Sequence, residues 1–212
     1  RKIKTKIPAP GTSKILKGLN HKESHSMHGQ LPIIWKKAEN FNVYDLANNK
    51  YIDFTSTIFV ANIGHSNKKL KKYIYKSLNK PLITSYAYPN EVRAIYHKKL
   101  LSFAGKNFQK AFLLSSGSEA TEAALKLMRM YGKKAKKRKR GIICFQGSWH
   151  GRSMGAQMMS GNLKQKEWIG YKDPNIHHIR FPYPWVIKDT NPKDFLKQSL
   201  NILQKKGINI SQ

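Results

Sequence analysis

A short apolar run, AFLL at residues 111–114, gives way at once to two serines, a glycine and a third serine, then to a helical pattern, and the stretch closes on a second apolar run, IICF at 142–145. This order constrains the chain more than any other feature. Four apolar residues in a row have the length of a buried strand. Ser116 and Glu119 carry the spacing of a capping box. Ala120, Ala123, Ala124, Leu127 and Tyr131 then share one helical face, and Gly132 supplies a stop. Strand, helix and strand in this order read as a βαβ unit, which predicts parallel strands and a right-handed crossover. Parallel pairing would send both following loops out at the carboxyl edge of the sheet, where α/β proteins bind ligands. The first loop is SSGSE (115–119), and the second is QGSWHGR (146–152).

Two chemistries fit the first loop. A helix start presents unpaired N–H groups and a partial positive charge, and Gly117 carries no Cβ to keep an oxygen-rich ligand from the amides. The same residues also make an ordinary serine cap with a glycine for a tight turn. In the second loop, Trp149 offers a flat apolar face of the kind a planar heterocycle stacks on, or packs under the following loop. Arg152 can clamp a carboxylate with a planar fork, or is one surface cation among many. His150 donates to a ligand oxygen or stabilises the turn.

The remaining chain supplies a scaffold. Residues 1–30 read as an irregular basic arm with one helical turn. LPIIW (31–35), FNVYD (41–45) and YIDFT (51–55) read as short strands, the last two joined as a hairpin through Asn48 and Asn49. Leu70, Tyr73, Ile74 and Leu78 mark a helix that Pro81 stops; Val92, Ile95, Leu100 and Phe103 mark another ending at Gly105. A further helix is expected over 194–205, and GINISQ (207–212) reads as the start of another strand.

A length of 212 residues is enough for a proper core, and no run approaches a membrane span. The single cysteine, Cys144, excludes an internal disulfide and fits a reducing, cytoplasmic compartment. No metal site is assigned. Forty Lys plus Arg against 11 Asp plus Glu give a net charge of +29, which raises a polyanion as a partner. The basic residues are mostly scattered, however, and only KKAKKRKR (133–140) forms a block, so a solvated loop explains it and nucleic acid is not the expected partner. A basic polyanion-binding module stays as the alternative from a different class.

SSGSEATEAALKLMR, followed some thirty residues later by GSWHGR, resembles the class III (ω-amino acid type) aminotransferases. VYDLANNKYIDFTSTIFVANIGHSN is also similar to that family's opening, with Gly64–His65 as its glycine–histidine pair. The resemblance implies an α/β chain of fold type I, a mostly parallel sheet with helices on both faces. Residues 1–64 would be the arm and hairpin of a small domain, and 65–212 the first half of the cofactor-binding large domain. It implies pyridoxal 5′-phosphate as cofactor, held by Ser116, Gly117, Ser118, Trp149, His150 and Gly151. By position, the Gly117 and Ser118 amides would take its phosphate and Trp149 would stack on its ring, where the family usually has Phe or Tyr. Arg152 matches the arginine that members acting on 4-aminobutyrate or acetylornithine use for a substrate carboxylate, and Ile58 matches a residue near the substrate. A glutamate-1-semialdehyde aminomutase-like member is the alternative within the family; Arg152, standing where that branch tends to carry histidine, argues against it.

The family also needs a Schiff-base lysine and an aspartate facing the pyridine nitrogen. Neither neighbourhood occurs in these residues, so no catalytic residue is assigned and the lysine is expected beyond residue 212. The expected activity of the full-length protein is transfer of an amino group from an ω-amino acid or amine to a 2-oxo acid. The expected assembly is a homodimer, with no membrane partner and with this half inactive alone.

Overall fold

The computed structural model describes residues 2–135, 141–188 and 190–210. The chain divides into two compact units, Arg1–Ala94 and Ile95–Gln212.

The first unit is organised by a hairpin. Strands β1 (Trp35–Glu39), β2 (Asn42–Asp45) and β3 (Lys50–Ile52) form an antiparallel sheet in that order, with Val43 opposite Ala38 on one side and Tyr51 on the other. The hairpin expected between 41–45 and 51–55 is therefore present. The strand expected at 31–35 begins only at its last residue and runs on through Lys36, Lys37 and Ala38 instead. Its partner selects that register: Glu39 pairs with Asn42 across a tight connection. The β2–β3 turn closes on buried Asp45, which accepts the amides of Ala47 (3.0 Å) and Asn49 (2.9 Å), the Asn49 side chain (2.8 Å) and the Tyr51 hydroxyl (2.9 Å). Asn49 is buried in turn, and its Oδ1 accepts the amides of Lys4 and Thr5, tying the N-terminal segment to the turn. That arm also carries a nine-residue helix, α1 (Thr12–Asn20), where one turn was expected. Ile15 and Leu16, four and three residues before Leu19, are its apolar spacing signal.

Beyond β3 the backbone turns left-handed. Ser56, Thr57, Ile58 and Phe59, the residues of the single turn α2, have φ of 46°, 56°, 57° and 67°. Each costs about 1–2 kcal/mol in a residue with a Cβ, and such strain concentrates at functional segments. The segment is bracketed by Asp53 and His65, whose Oδ2 and Nε2 lie 2.7 Å apart. Helix α3 (Lys68–Leu78) follows, started by the Asn67 side chain, which accepts the Leu70 amide at 3.1 Å, and ended before Pro81 as the periodicity predicts.

Helix α4 (Glu91–Ala104) ends at Gly105, again as expected. In the second unit, α5 (Gly117–Lys134), β4 (Ile142–Phe145), the short helix α6 (Met154–Met159), a 3-10 stretch over Lys164–Ile169 and β5 (Ile176–Ile179) enclose a small core. Leu125, Ile142, Cys144 and Met159 are buried together, with Ile176 against them. Helices α7 (Pro184–Ile187) and α8 (Pro192–Lys205) complete the unit; Asn191 caps α8, covering the helix expected over 194–205.

Three expectations need correction. AFLL (111–114) is not a strand: Phe112 is 70 % exposed, Leu113 and Leu114 about 40 %, and no ladder forms there among the described residues. The parallel partner of β4 is β5, in register Ile142↔Ile176 to Phe145↔Ile179, so the strand–helix–strand connection runs through α6 rather than α5. A strand exists only against a neighbour, and an apolar run alone does not say which neighbour it has. Second, the face of α5 turned inward is not the alanine face. Leu127 and Tyr131 are exposed, while Leu125 and Gly132 are buried, and the helix runs through Gly132, the expected stop, to Lys134. Ser118, Thr121, Glu122, Leu125 and Arg129 share that inner side at helical spacing: the first three meet the following loop and helix, Leu125 meets the small core, and Arg129 meets the Asp173 carboxylate. Third, Ile208 to Ile210 are not a strand; Ser211 and Gln212 lie outside the described residues, as do 136–140 of the basic block.

Two tests follow from this packing. Leu125→Ala should lower unfolding free energy by about 2–5 kcal/mol, the usual cost of truncating a buried leucine, read by urea denaturation of the second unit's signals. The Asp53 carboxyl is lowered to about 2, chiefly by the hydrogen bond with His65 and secondarily by Thr55, against an opposing push from burial. Its folded pKa lies below the unfolded value of 3.8, so its contribution to stability is full above pH 4 and fades as pH falls toward 2. Denaturation midpoints measured from pH 6 to 2 should show that loss, and Asp53→Asn should flatten it.

Candidate cofactor site

Ser116 stands in extended backbone (φ −139°, ψ 161°) immediately before α5, and its Oγ accepts the Glu119 amide at 3.2 Å. The same hydroxyl donates to Glu119 Oε2 at 3.1 Å. The cap predicted from spacing is thus formed, although Glu119 closes it through the hydroxyl. The amides of Gly117 and Ser118 are the first two of the helix and have no intrahelical acceptor by geometry. No other acceptor meets them among the described residues. A Cβ added at Gly117 would touch nothing within 4 Å, and its φ is not left-handed. Neither packing nor backbone conformation requires glycine at 117, so the tight-turn explanation loses its support.

The second loop is fastened directly onto this helix start. Thr121 Oγ1 donates to the His150 carbonyl at 2.6 Å. The hydroxyls of Ser118 and Ser153 are 2.8 Å apart, and the Ser153 amide donates to Ser118 Oγ at 3.2 Å. Gly151 lies buried between them with φ +135°, where a Cβ would overlap the Ser118 side chain and come within 3.0 Å of the Ala156 methyl. Only glycine fits there. His150 is held through its backbone: its carbonyl accepts from Thr121 and its amide donates to Ser160 Oγ at 3.0 Å.

Trp149 and Arg152 project from this anchored loop and remain exposed. The Arg152 guanidinium carbon lies 5.5 Å from the centre of the Trp149 ring, within cation–π range. Arg152 has no carboxylate partner among the described residues, so its fork is free for one from outside. Ser116, Gly117, Ser118, Trp149, His150, Gly151 and Arg152 are therefore brought together. Ile58 belongs to the first unit, in its left-handed turn, and is 75 % exposed.

Helix α6, which continues the loop, is held at both ends. Glu122 Oε1 accepts the Ala156 amide at 3.0 Å at its start. Burial pushes the Glu122 carboxyl upward, but hydrogen bonds from Ser153 and from the Ala156 and Gly155 amides outweigh it and hold the group below the usual glutamate range. At its end, Lys166 Nζ donates to the carbonyls of Met158 (3.1 Å) and Ser160 (2.8 Å), and His178 Nε2 lies 3.0 Å from the Met159 carbonyl. Burial lowers the pKa of both Lys166 and His178. Thr121, Glu122, Ser153 and Ser160 escape a reading by motif. Their one signal is position: Thr121 and Glu122 lie three and four residues after Ser118, on the same face of the helix.

The family model of the class III aminotransferases matches residues 24–211. Among curated proteins, the mitochondrial acetylornithine aminotransferase of Saccharomyces cerevisiae is 34 % identical over 149 residues, 68 % of this chain and 35 % of that protein. The acetylornithine aminotransferase of Nitrosomonas europaea is 33 % identical over 162 residues, covering 76 % and 40 %. Among solved structures, a taurine:2-oxoglutarate aminotransferase from Bifidobacterium kashiwanohense, in complex with pyridoxal phosphate and glutamate, superposes with a TM-score of 0.78 at 22 % identity, over 92 % of this chain and 45 % of that one. The ornithine aminotransferase of Toxoplasma gondii gives 0.75 at 17 % identity over 95 % and 53 %. The α/β architecture is thus that of fold type I aminotransferases, and the chain spans 35–40 % of the length of these curated relatives.

Proposed function

The chain belongs to the class III aminotransferases, a pyridoxal-phosphate-dependent family, and from that membership we propose that residues 116–118 and 149–152 form the phosphate-and-ring end of a pyridoxal 5′-phosphate site. The observation that carries the proposal is the pair of unpaired amides at Gly117 and Ser118, open to a ligand and faced by a loop docked on the same helix start. The donor set fits a phosphate: two backbone N–H groups at the positive end of an 18-residue helix, with the Ser116 and Ser118 hydroxyls beside them. Trp149 supplies the apolar face for the ring. His150 and Gly151 shape the loop through their backbone. When bound, the cofactor supplies the electron sink for amino-group transfer, and the protein supplies orientation and charge placement.

The substrate side rests on Arg152, whose fork recognises a carboxylate, and on Ile58 by resemblance alone. The full-length protein, in this reading, moves the amino group of a 4-aminobutyrate- or acetylornithine-like donor to a 2-oxo acid. The acetylornithine names of its curated relatives support that donor class. Residues 1–64 belong to a small domain and 65–212 to the first half of a large one, with the Schiff-base lysine outside these residues. We assign a homodimer on the same footing, from the resemblance to the family alone. The buried free thiol of Cys144 suits a reducing compartment such as the cytoplasm.

In the full-length protein, Trp149→Ala should weaken pyridoxal 5′-phosphate binding by about 1–3 kcal/mol, measured by fluorescence titration. Unchanged affinity would assign Trp149 to loop packing. Arg152→Lys keeps the charge and loses the fork, so it should raise KM for a carboxylate-bearing donor while cofactor affinity stays near normal. Donor kinetics untouched by that change would make Arg152 a surface charge.

A further inference from the structure

Glu122 is a carboxylate reaching inward from the second turn of α5, and it meets backbone rather than a cation. Its Oε1 accepts the Ala156 amide at 3.0 Å. That amide is one of the free donors in the first turn of α6, the helix that continues the Trp149–Arg152 loop, so the side chain of one helix caps the other. The fit is close. At Gly155 a Cβ would overlap the Glu122 carboxylate and the Leu125 side chain, so the backbone of α6 comes down onto α5 at just this point. Ser118, whose amide faces the proposed phosphate position, lies one turn earlier on the same helix and is bonded to Ser153. No lysine or arginine pairs with Glu122 among the described residues; its acceptor capacity goes to the loop-and-helix junction.

We propose that Glu122 is a positioning residue for the cofactor site: by capping α6 from α5 it holds the Trp149–Arg152 loop over the amides of Gly117 and Ser118. This rests on the cofactor reading given above, and it adds a residue that touches neither the ring nor the phosphate. A short helix such as α6 has little intrinsic stability and takes its place from tertiary bonds. A charge-assisted bond to its first amides is among the stronger ones available.

The test uses the full-length holoenzyme and pairs amide hydrogen exchange with the rate at which pyridoxal 5′-phosphate is lost on dilution. Glu122→Ala should speed exchange at residues 150–156 while β4 and β5 keep their protection, and should speed cofactor loss about tenfold, the equivalent of one such bond. Glu122→Gln, which keeps an acceptor for the Ala156 amide, should fall between the two. Unchanged exchange at 150–156 overturns the proposal. Exchange that rises equally through β4, β5 and α8 overturns it too, since Glu122 would then support the fold in general. If exchange rises locally and Trp149→Ala speeds cofactor loss while Glu122→Ala does not, the loop does not need this cap. If neither variant speeds the loss, the cofactor reading itself fails.

Discussion

The second unit depends on one close approach: the buried glycine at 151 laid against the first turn of α5. Any side chain at 151 would occupy the space of Ser118 and push the loop off the helix, so that the Ser118–Ser153 and Thr121–His150 hydrogen bonds could not form. Those bonds give the loop a fixed place relative to the helix start. A tryptophan and an arginine on a free loop would have no defined direction. On this loop both are carried by backbone pinned on either side, and the cation–π approach of Arg152 to Trp149 aligns them with each other.

The pinning also settles where unpaired backbone groups go. Helix α6 has only six residues, and both of its ends need partners. Its start is served by a carboxylate and its end by a lysine, which is the arrangement the helix dipole favours, with His178 beside the Met159 carbonyl. The start of α5 is served in the same way at its third amide, which Ser116 closes, and the amides of Gly117 and Ser118 are left open. What sets that open pair apart is the loop docked beside it through Ser118–Ser153 and Thr121–His150.

Much of this is legible in the residues. The 3.6-residue spacing locates α3, α4 and α5, because each is a local pattern; Pro81 and Gly105 stop the first two, whereas α5 runs past Gly132 to Lys134. The Ser116–Glu119 cap is legible for the same reason. AFLL misleads because strand character depends on a distant partner, and β4 pairs with β5 instead. The two loops do meet, yet the reason is direct docking of serine, threonine and glycine, not a shared sheet edge as the parallel-strand reading requires. The inner face of α5 departs from the premise that alanines pack inward; here small polar side chains do so, because they receive a loop's amides and carbonyls. The left-handed turn at 56–59 has no composition signal at all, since none of its four residues is glycine.

The central claim, that the open amides of α5 and the docked loop are one anion-and-ring site, is tested most directly by a crystal structure of the protein with pyridoxal 5′-phosphate bound. The account predicts phosphate oxygens about 3 Å from the Gly117 and Ser118 nitrogens, with the pyridine ring against Trp149. A phosphate held by other residues, with those two amides still facing solvent, would contradict it.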